Sequence, residues 1–401
     1  MDNTELIKSL SRVTPSKIVF LVIDGLGGLP HPETGKTELE TANTPNFDKL
    51  AAGSICGLAD PVGPGITPGS APGHLAIFGY DPIETIVGRG VLAAFGTGFD
   101  LKPDDVAARG NFCSVDESGL VTDRRAGRIS SDKSTELCRL LDGQTIDSVE
   151  IFVRPVKDHR FLVVFRGQGL SPDVNSSDPQ QTGVVPLEIK PENPGAGKLA
   201  ALANKFTEFA GKTLAGHHPA NMVLLRGFSK WEPLPTLNDI YKLTPAAIAS
   251  YPMYRGLAKL IGMDIVETGT GVDDVFKSLS DNYTKYDFFF LHIKKLDSAG
   301  EDGNFEGKVA AIEEVDGLLP KLTGLQPDVI VVTGDHSTPA VLEAHSWHPV
   351  PVLISSRWCR TDSVSEFSES AFVSGGLGRL PSTRIMPLAM ANALKLIKYG
   401  A

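Results

Sequence analysis

The stretch K-I-V-F-L-V-I-D-G, residues 17–25, decides the fold class of this chain. A continuous apolar run that ends in an acid and a glycine is typical of a buried, parallel strand. Two later stretches repeat the pattern, D-F-F-F-L-H-I at residues 287–293 and D-V-I-V-V-T at residues 328–333. Between them, residues 305–319 carry apolar side chains at helical spacing. This alternation predicts an α/β fold with helices packed on a sheet.

Each of these strands is followed by residues that can bind a metal ion. Asp24 follows the first strand, Asp297 and Glu301 follow the second, and Asp335 with His336 follows the third. Ligands of open α/β sheets bind outside the carboxyl ends of the strands, so we expect these residues to meet at one edge. Several carboxylates there repel one another unless cations lie between them. Two divalent ions can clamp the attacking and leaving oxygens of a phosphoryl transfer.

These residues also have purely structural interpretations. An Asp after a strand is often a turn former or a helix cap. Asp297 and Glu301 could be acids four residues apart on the surface of a helix, and His345 could lie in a surface loop. The metal interpretation depends on their conjunction, since four separate segments each place a ligand where this fold class has its active site.

A turn rich in glycine and proline presents a single hydroxyl. It reads T-P-G-S-A-P-G-H, residues 67–74, and leads into an apolar helical pattern with Pro72 in its first turn. Ser70 is therefore expected at a helix N-terminus, where backbone N–H groups favour an anion. The serine could be a plain N-cap, or it could be a nucleophile whose phosphate ester is stabilised by this setting.

The texture of the chain changes between about residue 100 and residue 234. Short β-rich segments and turns predict an α+β domain, residues 100–234, inserted into a larger domain made of residues 1–99 and 235–401. The insert carries a compact basic cluster, with Arg124, Arg125 and Arg128 in D-R-R-A-G-R and with His159-Arg160 further on. Guanidinium groups suit an anionic substrate, although a solvated surface is the alternative interpretation.

The composition excludes several classes of partner. The net charge of −10 provides no general attraction to nucleic acid or to an anionic membrane. The longest apolar runs fall short of the roughly 18 residues that a membrane span needs. Four scattered cysteines without a C-x-x-C pair, and a polar N-terminus, predict a cytoplasmic protein with reduced thiols.

The order of the motifs resembles the archaeal-type cofactor-independent (2,3-bisphosphoglycerate-independent) phosphoglycerate mutases of the alkaline phosphatase superfamily. The motifs are V-I-D-G, T-P-G-S-A-P-G-H-L-A-I-F-G-Y-D-P, D-R-R-A-G-R-I, H-I-K-K-L-D-S-A-G-E-D-G, T-G-D-H-S-T-P and H-S-W-H-P-V-P. The resemblance implies an alkaline-phosphatase-like sheet sandwiched by helices, with a smaller inserted domain that binds substrate. It also implies the interconversion of 3-phosphoglycerate and 2-phosphoglycerate, a step of glycolysis and gluconeogenesis, through a phosphoserine.

The resemblance assigns roles to individual residues of this chain. Ser70 matches the phosphorylated nucleophile and Lys294 a basic residue beside the transferring phosphate. The arginines of D-R-R-A-G-R match the substrate clamp, and His159-Arg160 matches a further family motif. The implied metal ligands are Asp24, Ser70, Asp335 and His336 for one ion and Asp297, Glu301 and His345 for the other.

One departure from the family pattern concerns the metal. The family usually has His where this chain has Glu301, and a carboxylate makes the site harder and more anionic. We therefore expect two divalent ions, Mn²⁺ or Mg²⁺ first and Zn²⁺ or Co²⁺ as alternatives.

Two other functions remain open from the sequence. The same scaffold could serve a related phosphotransferase or phosphatase, such as a kinase-like paralogue that acts on another small phosphorylated metabolite. A metal-binding regulatory module that has lost catalysis is a third interpretation, which the intact Ser70 and ligand set argue against. The expected partner is a phosphoglycerate, with no nucleic acid and no membrane, and the chain is expected to be a monomer or a small homo-oligomer.

Overall fold

The computed structural model describes residues 3–400. The chain forms two compact units, one built from the segments up to Ile86 and from Pro235 onward, the other from Val87–Leu234. The helix Arg89–Gly96 is grouped with the second unit because it packs on strands of that unit's sheet. The predicted domain boundaries at residues 99/100 and 234/235 stay a prediction.

The strands and α-helices are numbered in chain order. The strands are β1 (Ile18–Ile23), β2 (Ile55–Asp60), β3 (Asp105–Val115), β4 (Val121–Asp123), β5 (Gln144–Ile146), β6 (Val149–Lys157), β7 (Arg160–Arg166), β8 (Met222–Lys230), β9 (Pro245–Ile248), β10 (Asp264–Ile265), β11 (Phe288–Ile293), β12 (Val329–Thr333), β13 (Val350–Ser356) and β14 (Gly378–Pro381). The helices are α1 (Asn3–Leu10), α2 (Glu38–Thr41), α3 (Pro45–Ala51), α4 (Ser70–Ile77), α5 (Arg89–Gly96), α6 (Ser131–Leu141), α7 (Gly197–Leu214), α8 (Leu237–Tyr241), α9 (Pro252–Leu260), α10 (Val272–Asn282), α11 (Lys295–Glu301), α12 (Phe305–Thr323), α13 (Glu369–Phe372) and α14 (Ile385–Asn392).

The first unit is built on an eight-stranded sheet in the order β10-β9-β11-β1-β12-β13-β2-β14. Every neighbouring pair is parallel except for the two pairs that β13 makes, which are antiparallel. Helices α10 and α12 pack on one face of this sheet, and the Phe78 ring that follows α4 packs on Phe20 and Phe290 of the other face. The predicted α/β class is confirmed.

The three predicted apolar strands lie side by side at the centre of this sheet, as β11, β1 and β12. Ile18 pairs with both Phe288 and Val329, so the three strands end at almost the same height. All six residues of β1 are buried, as are those of β11 and β12, because helices cover both faces. The residues that follow each strand therefore emerge together at one edge of the sheet.

The second unit has its own sheet, in the order β4-β3-β7-β6-β5, with β8 paired to β3. Helices α6 and α7 cover one face and close an apolar core over it. On the other face α5 packs against Ala107, Leu162 and Val164. The unit is thus an α+β arrangement, as the alternation of short β segments and one long helical pattern predicts.

The sequence from Arg384 to Lys398 predicts one closing helix, and the structure shows that this prediction is wrong at its C-terminal end. Helix α14 stops at Asn392, because Leu394 takes a left-handed backbone conformation with φ of 54°. The chain beyond it pairs instead with the segment after α1, through a bridge between Leu396 and Ser11. None of the helices in residues 3–400 combines the length and apolarity needed to span a bilayer.

Candidate active site

Ser70 is the first residue of α4, and Gly69 rather than Ser70 occupies the N-cap position. The hydroxyl of Ser70 lies 3.3 Å from Nε2 of His336. Helix α4 approaches the loop after β12 closely at Gly73, where an added Cβ would lie 2.1 Å from the carbonyl oxygen of Asp335. The N-cap interpretation of Ser70 is therefore wrong, and its side chain is available for chemistry.

Asp24, Asp335 and His336 form a first cluster at the end of β1 and β12, and each is fully buried. Their ligand-type atoms all lie within 4.8 Å of one another. Nε2 of His336 is 3.3 Å from Oδ1 of Asp24 and 3.1 Å from Oδ2 of Asp335. Those two carboxylate oxygens are buried and accept no hydrogen bond from the described residues.

Asp297, His336 and His345 form a second cluster, again with ligand-type atoms within 4.8 Å of one another. The imidazole rings of His336 and His345 stack with 3.6 Å between their centroids. Nε2 of His345 is 3.5 Å from Oδ1 of Asp297, while its Nδ1 is 2.9 Å from the carbonyl oxygen of Pro68. His336 belongs to both clusters, which are therefore adjacent.

Glu301 and Lys294 lie beside these clusters. The Glu301 side chain is 54% exposed, and its Oε1 lies 3.8 Å from Nε2 of His345, outside both groups. The Lys294 ammonium is 3.2 Å from Oδ2 of Asp24 and is also paired with Asp297. Lys294 thus neutralises part of the carboxylate charge, whereas Glu301 would have to turn inward to act as a ligand.

The charges of the first cluster shift the pKa values of its members. Burial raises the pKa of Asp335, but the rings of His336 and His74 outweigh it and hold that pKa well below the usual range. Burial lowers the pKa of His336, but the Asp335 carboxylate outweighs it and raises that pKa to about 9. Burial and Asp335 raise the pKa of Asp24, yet Lys294 and the other donors around it bring that pKa below its ordinary value. Both carboxyl groups are therefore ionised near neutral pH, as metal ligands must be.

The residues of the two clusters fit divalent cations. Buried carboxylate oxygens are normally hydrogen-bonded, so Oδ1 of Asp24 calls for a partner, and Oδ2 of Asp335 has only the ring nitrogens of His336 and His74 beside it. A donor set of carboxylates with a minority of imidazoles suits Mn²⁺, Mg²⁺ or Zn²⁺. A cation shared by these oxygens and Nε2 of His336 would supply that partner and take the place of the imidazole proton.

The structure adds four side chains that the sequence did not single out. They are Tyr254 and His292, which touch Asp24, together with His74, which is 3.1 Å from Oδ2 of Asp335, and Thr338, whose hydroxyl donates to Oδ1 of Asp297 at 2.7 Å. A sequence signal existed for His292, since it is the one ionisable residue within an otherwise apolar strand. No local signal marked Tyr254, because only tertiary packing brings α9 to this edge.

A buried lysine ties the ligand-bearing loops together. Nζ of Lys308 is fully buried and donates to the carbonyl oxygens of Gly27, at 3.0 Å, and of Thr338, at 2.8 Å. The carboxylate of Glu38 lies 3.7 Å away. One side chain therefore hydrogen-bonds to both the loop after Asp24 and the loop after His336.

Gly25 allows these two loops to approach closely. Its φ is +70°, and a Cβ there would lie 2.7 Å from Oγ1 of Thr338 and 2.8 Å from Cα of Asp297. A residue with a side chain at this position would push Asp24 away from its neighbours.

The predicted substrate residues lie in the second unit, and the structure distinguishes among them. Arg124 makes a two-point ion pair with Asp178, Nε to Oδ1 and Nη2 to Oδ2, both at 2.8 Å. Arg125 and Arg128 are exposed. His159 is buried, and its Nδ1 has no hydrogen-bond partner among the described residues.

Further arginines lie close enough to His159 and Arg124 to affect the pKa values in this part of the second unit. Arg109 of β3 lies directly opposite Arg226 of β8. Burial lowers the pKa of Arg226, and the nearby guanidinium groups of Arg89, Arg124 and Arg160 lower it further. Burial also lowers the pKa of His159 to about 4, with Arg160, Arg125 and Arg109 adding to the effect. We call this set the basic cluster: Arg89, Arg109, Arg124, Arg125, His159, Arg160 and Arg226.

A charged residue within the apolar strand 222–230 was the sequence signal for Arg226.

Comparison with known proteins gives consistent matches over the whole chain. A family model described as 2,3-bisphosphoglycerate-independent phosphoglycerate mutase matches residues 51–221. A probable 2,3-bisphosphoglycerate-independent phosphoglycerate mutase from Thermus thermophilus is 48% identical over 406 residues, covering 100% of both chains. A protein of the same description from Deinococcus radiodurans is 49% identical over 409 residues, again covering 100% of both.

Solved structures with the same fold include two archaeal proteins. A protein from Pyrococcus horikoshii matches with a TM-score of 0.84 and 30% identity, covering 97% of this chain and 100% of its own. A cofactor-independent phosphoglycerate mutase from Thermoplasma acidophilum matches with a TM-score of 0.72 and 28% identity, covering 94% and 100% respectively.

Proposed function

Because the chain belongs to the 2,3-bisphosphoglycerate-independent phosphoglycerate mutase family, we propose that it interconverts 3-phosphoglycerate and 2-phosphoglycerate through a phosphoserine on Ser70. The enzyme class predicted from the motifs is confirmed by these relatives. The intermediate, the metals and the substrate contacts are our proposal.

One observation carries the proposal. The Ser70 hydroxyl stands at the N-terminus of α4 and 3.3 Å from the histidine that both clusters share. Free N–H groups of a first helical turn favour an anion there, which suits a phosphate ester on this oxygen. A structural serine would have no need of two carboxylate–histidine clusters beside it.

We propose that Asp24, Asp335 and His336, with Ser70, hold one divalent cation and that Asp297 and His345, with Glu301 turned inward, hold a second. Divalent cations at these positions supply Lewis acidity, which favours the serine alkoxide and offsets charge on the phosphoryl oxygens.

The chain's own residues then carry the transfer. The Ser70 hydroxyl gives up its proton and its oxygen forms a bond to phosphorus, while the bond from phosphorus to one glycerate oxygen breaks and that oxygen takes up a proton. In the second step the other glycerate hydroxyl gives up its proton and attacks the phosphoserine, the bond from phosphorus to Ser70 breaks, and the Ser70 oxygen takes up a proton. Lys294 compensates anionic charge beside the site, and the basic cluster binds the substrate carboxylate through two-point contacts.

A coupled assay tests the proposal. Purified protein is given 3-phosphoglycerate with and without Mn²⁺, and with and without 2,3-bisphosphoglycerate, while phosphate release and ATP-dependent transfer are followed in parallel. We expect metal-dependent formation of 2-phosphoglycerate that does not need the bisphosphate. Phosphate release without 2-phosphoglycerate would instead identify a phosphatase, and ATP-dependent transfer a kinase-like paralogue. The cytoplasmic location and a monomeric or small homo-oligomeric state remain predictions from the sequence.

A further inference from the structure

Tyr254 makes a short contact with one of the buried carboxylates. The residue lies in α9 and is fully buried, and its hydroxyl donates to Oδ2 of Asp24 at 2.5 Å. The same oxygen lies 3.2 Å from Nζ of Lys294 and 3.2 Å from Nε2 of His292. Three protein groups thus converge on one oxygen of Asp24.

The other oxygen of Asp24 is treated differently. Oδ1 accepts no hydrogen bond from the described residues and lies 3.3 Å from Nε2 of His336, within the first cluster. In this carboxylate, Oδ2 is therefore contacted by three protein groups, whereas Oδ1 remains available to bind a cation.

We propose that Tyr254 is a positioning residue, which holds Oδ2 of Asp24 so that Oδ1 alone is offered to a divalent cation. The proposal rests on the proposed function in so far as that function requires a metal at this cluster. Groups that hydrogen-bond to a ligating carboxylate orient it and tune metal affinity. Nothing in this role requires Tyr254 to touch the substrate.

The ring of Tyr254 is itself fixed by its neighbours. It stacks on the His292 ring with 3.7 Å between centroids and lies 4.8 Å from the ring of His74. Its hydroxyl is also 3.3 Å from Nζ of Lys294, which has Asp297 as a second carboxylate partner. Without the hydroxyl, Oδ2 of Asp24 would keep only His292 and a lysine that it shares with Asp297, so the carboxylate would be held less firmly.

Binding of Mn²⁺ in the absence of substrate tests this role. Tyr254→Phe keeps the stacked ring and removes only the hydroxyl. Tyr241→Phe is the matched control, because Tyr241 is another buried tyrosine of the first unit, whose hydroxyl donates to the carbonyl oxygen of Phe78 at 3.1 Å. We expect Mn²⁺ to bind about 10- to 100-fold more weakly to Tyr254→Phe than to the wild type, measured by titration calorimetry, with no change in Tyr241→Phe.

A double-mutant cycle distinguishes an effect that Tyr254 exerts through Asp24 from a general disturbance of the structure. Since Tyr254 acts through Asp24, Tyr254→Phe should cost much less Mn²⁺ affinity in an Asp24→Asn background than in the wild type. Equal Mn²⁺ affinities for Tyr254→Phe and wild type would overturn the proposal, as would the same loss in Tyr241→Phe.

A measurement on the wild type keeps the test decisive if Tyr254→Phe does not fold. In a crystal structure with Mn²⁺ bound, Asp24 should reach the ion through Oδ1 while Oδ2 keeps the Tyr254 hydroxyl; coordination through Oδ2 would refute the role. These readouts need no substrate, so an absence of mutase activity in the wild type would count against the proposed function alone.

Discussion

The hydroxyl of Ser70 and Nε2 of His336 are 3.3 Å apart, and His336 is the residue that the two clusters have in common. The serine therefore lies where a cation at either cluster would act on it, as the proposed phosphoryl carrier requires. The two residues are 266 positions apart in the chain and meet only because α4 packs against the loop after β12.

Replacing Ser70 by alanine should abolish mutase turnover and leave the fold intact, because the change removes one oxygen at a helix end. Mass spectrometry after incubation with 3-phosphoglycerate should detect a phosphorylated peptide containing residue 70 in the wild type only. Ser54→Ala, which removes a hydroxyl bonded to the carbonyl oxygen of Leu50, is the control and should keep full activity. Near-normal turnover in Ser70→Ala would exclude the covalent role.

Replacing Glu301 by histidine should raise activity with Zn²⁺ relative to Mn²⁺, since an imidazole is a softer ligand than a carboxylate. The position is suitable, because Oε1 of Glu301 already lies 3.8 Å from Nε2 of His345. Asp302→His, at the exposed neighbouring position, controls for a histidine added to the surface. If the ratio of Zn²⁺ to Mn²⁺ activity is the same in all three proteins, Glu301 does not set metal preference.

Removing a guanidinium from the basic cluster should weaken substrate binding. We expect Arg125→Ala to lower kcat/KM by about one to two decades, equivalent to roughly 1.5–3 kcal/mol for a charge-assisted contact. Arg125→Lys should recover part of this, and Arg124→Lys should also lose the two-point contact with Asp178. Arg128→Ala tests the third arginine predicted from the sequence, which is not part of the basic cluster.

Arg139→Ala is the matched control for these variants, because Arg139 is an exposed arginine of α6 in the same unit. Phosphate release should be followed alongside mutase rate, since a loosened clamp would let glycerate escape before the second transfer. Unchanged kinetics in every variant of Arg124, Arg125 and Arg128 would mean that these side chains form a solvated surface.

The stability of the fold should decrease on acidification because of His159. Burial and the surrounding arginines lower its pKa to about 4, whereas an unfolded histidine titrates near 6.5. Between these values the unfolded chain binds more protons, so the free energy of unfolding falls as pH is lowered, by up to about 1.4 kcal/mol per pH unit. His159→Gln should show a shallower dependence in urea titrations between pH 6.5 and 4. Parallel curves for the two proteins would contradict the prediction.

Replacing Lys308 by methionine should destabilise the first unit by about 3–5 kcal/mol, the usual effect of removing one partner of a buried ion pair. The substitution leaves the Glu38 carboxylate without its cation and removes a donor from the carbonyl oxygens of Gly27 and Thr338, of which Gly27 keeps the N–H of Thr338. Lys321→Met, which breaks an exposed ion pair with Asp273, should change stability by less than about 1 kcal/mol. Similar urea midpoints for both variants would show that Lys308 contributes no more than a surface lysine.

The residues at the sheet edge could be predicted from the sequence because each directly follows an apolar strand pattern. Asp24 and Asp335 each follow an apolar run, and the rule that parallel strands deliver their next residues to one edge needs no further information. The end of α14 could not be predicted in the same way. Residues 393–398 fit a helical pattern, but in the structure their backbone pairs with the segment around Ser11 instead of continuing the helix.

Other parts of the site depend on packing between distant segments. Tyr254 reaches Asp24 only through the position of α9, and Arg109 meets Arg226 only through the register of two antiparallel strands. Which oxygen of Asp24 accepts hydrogen bonds from the protein depends on distances of a few ångströms in the folded structure, and these cannot be read from residue spacing along the chain.

The order of strands in the large sheet has a consequence for synthesis on the ribosome. Strand β1 emerges early, but its two neighbours, β11 and β12, emerge only after the whole second unit has been made, since Ile18 pairs with Phe288 and Val329. The strands of the second unit follow one another without interruption from another unit, so its sheet can close while translation continues. The six apolar residues of β1 stay without either neighbour until β11 emerges, and a chain that has released β11 but not β12 leaves this central strand open along one side.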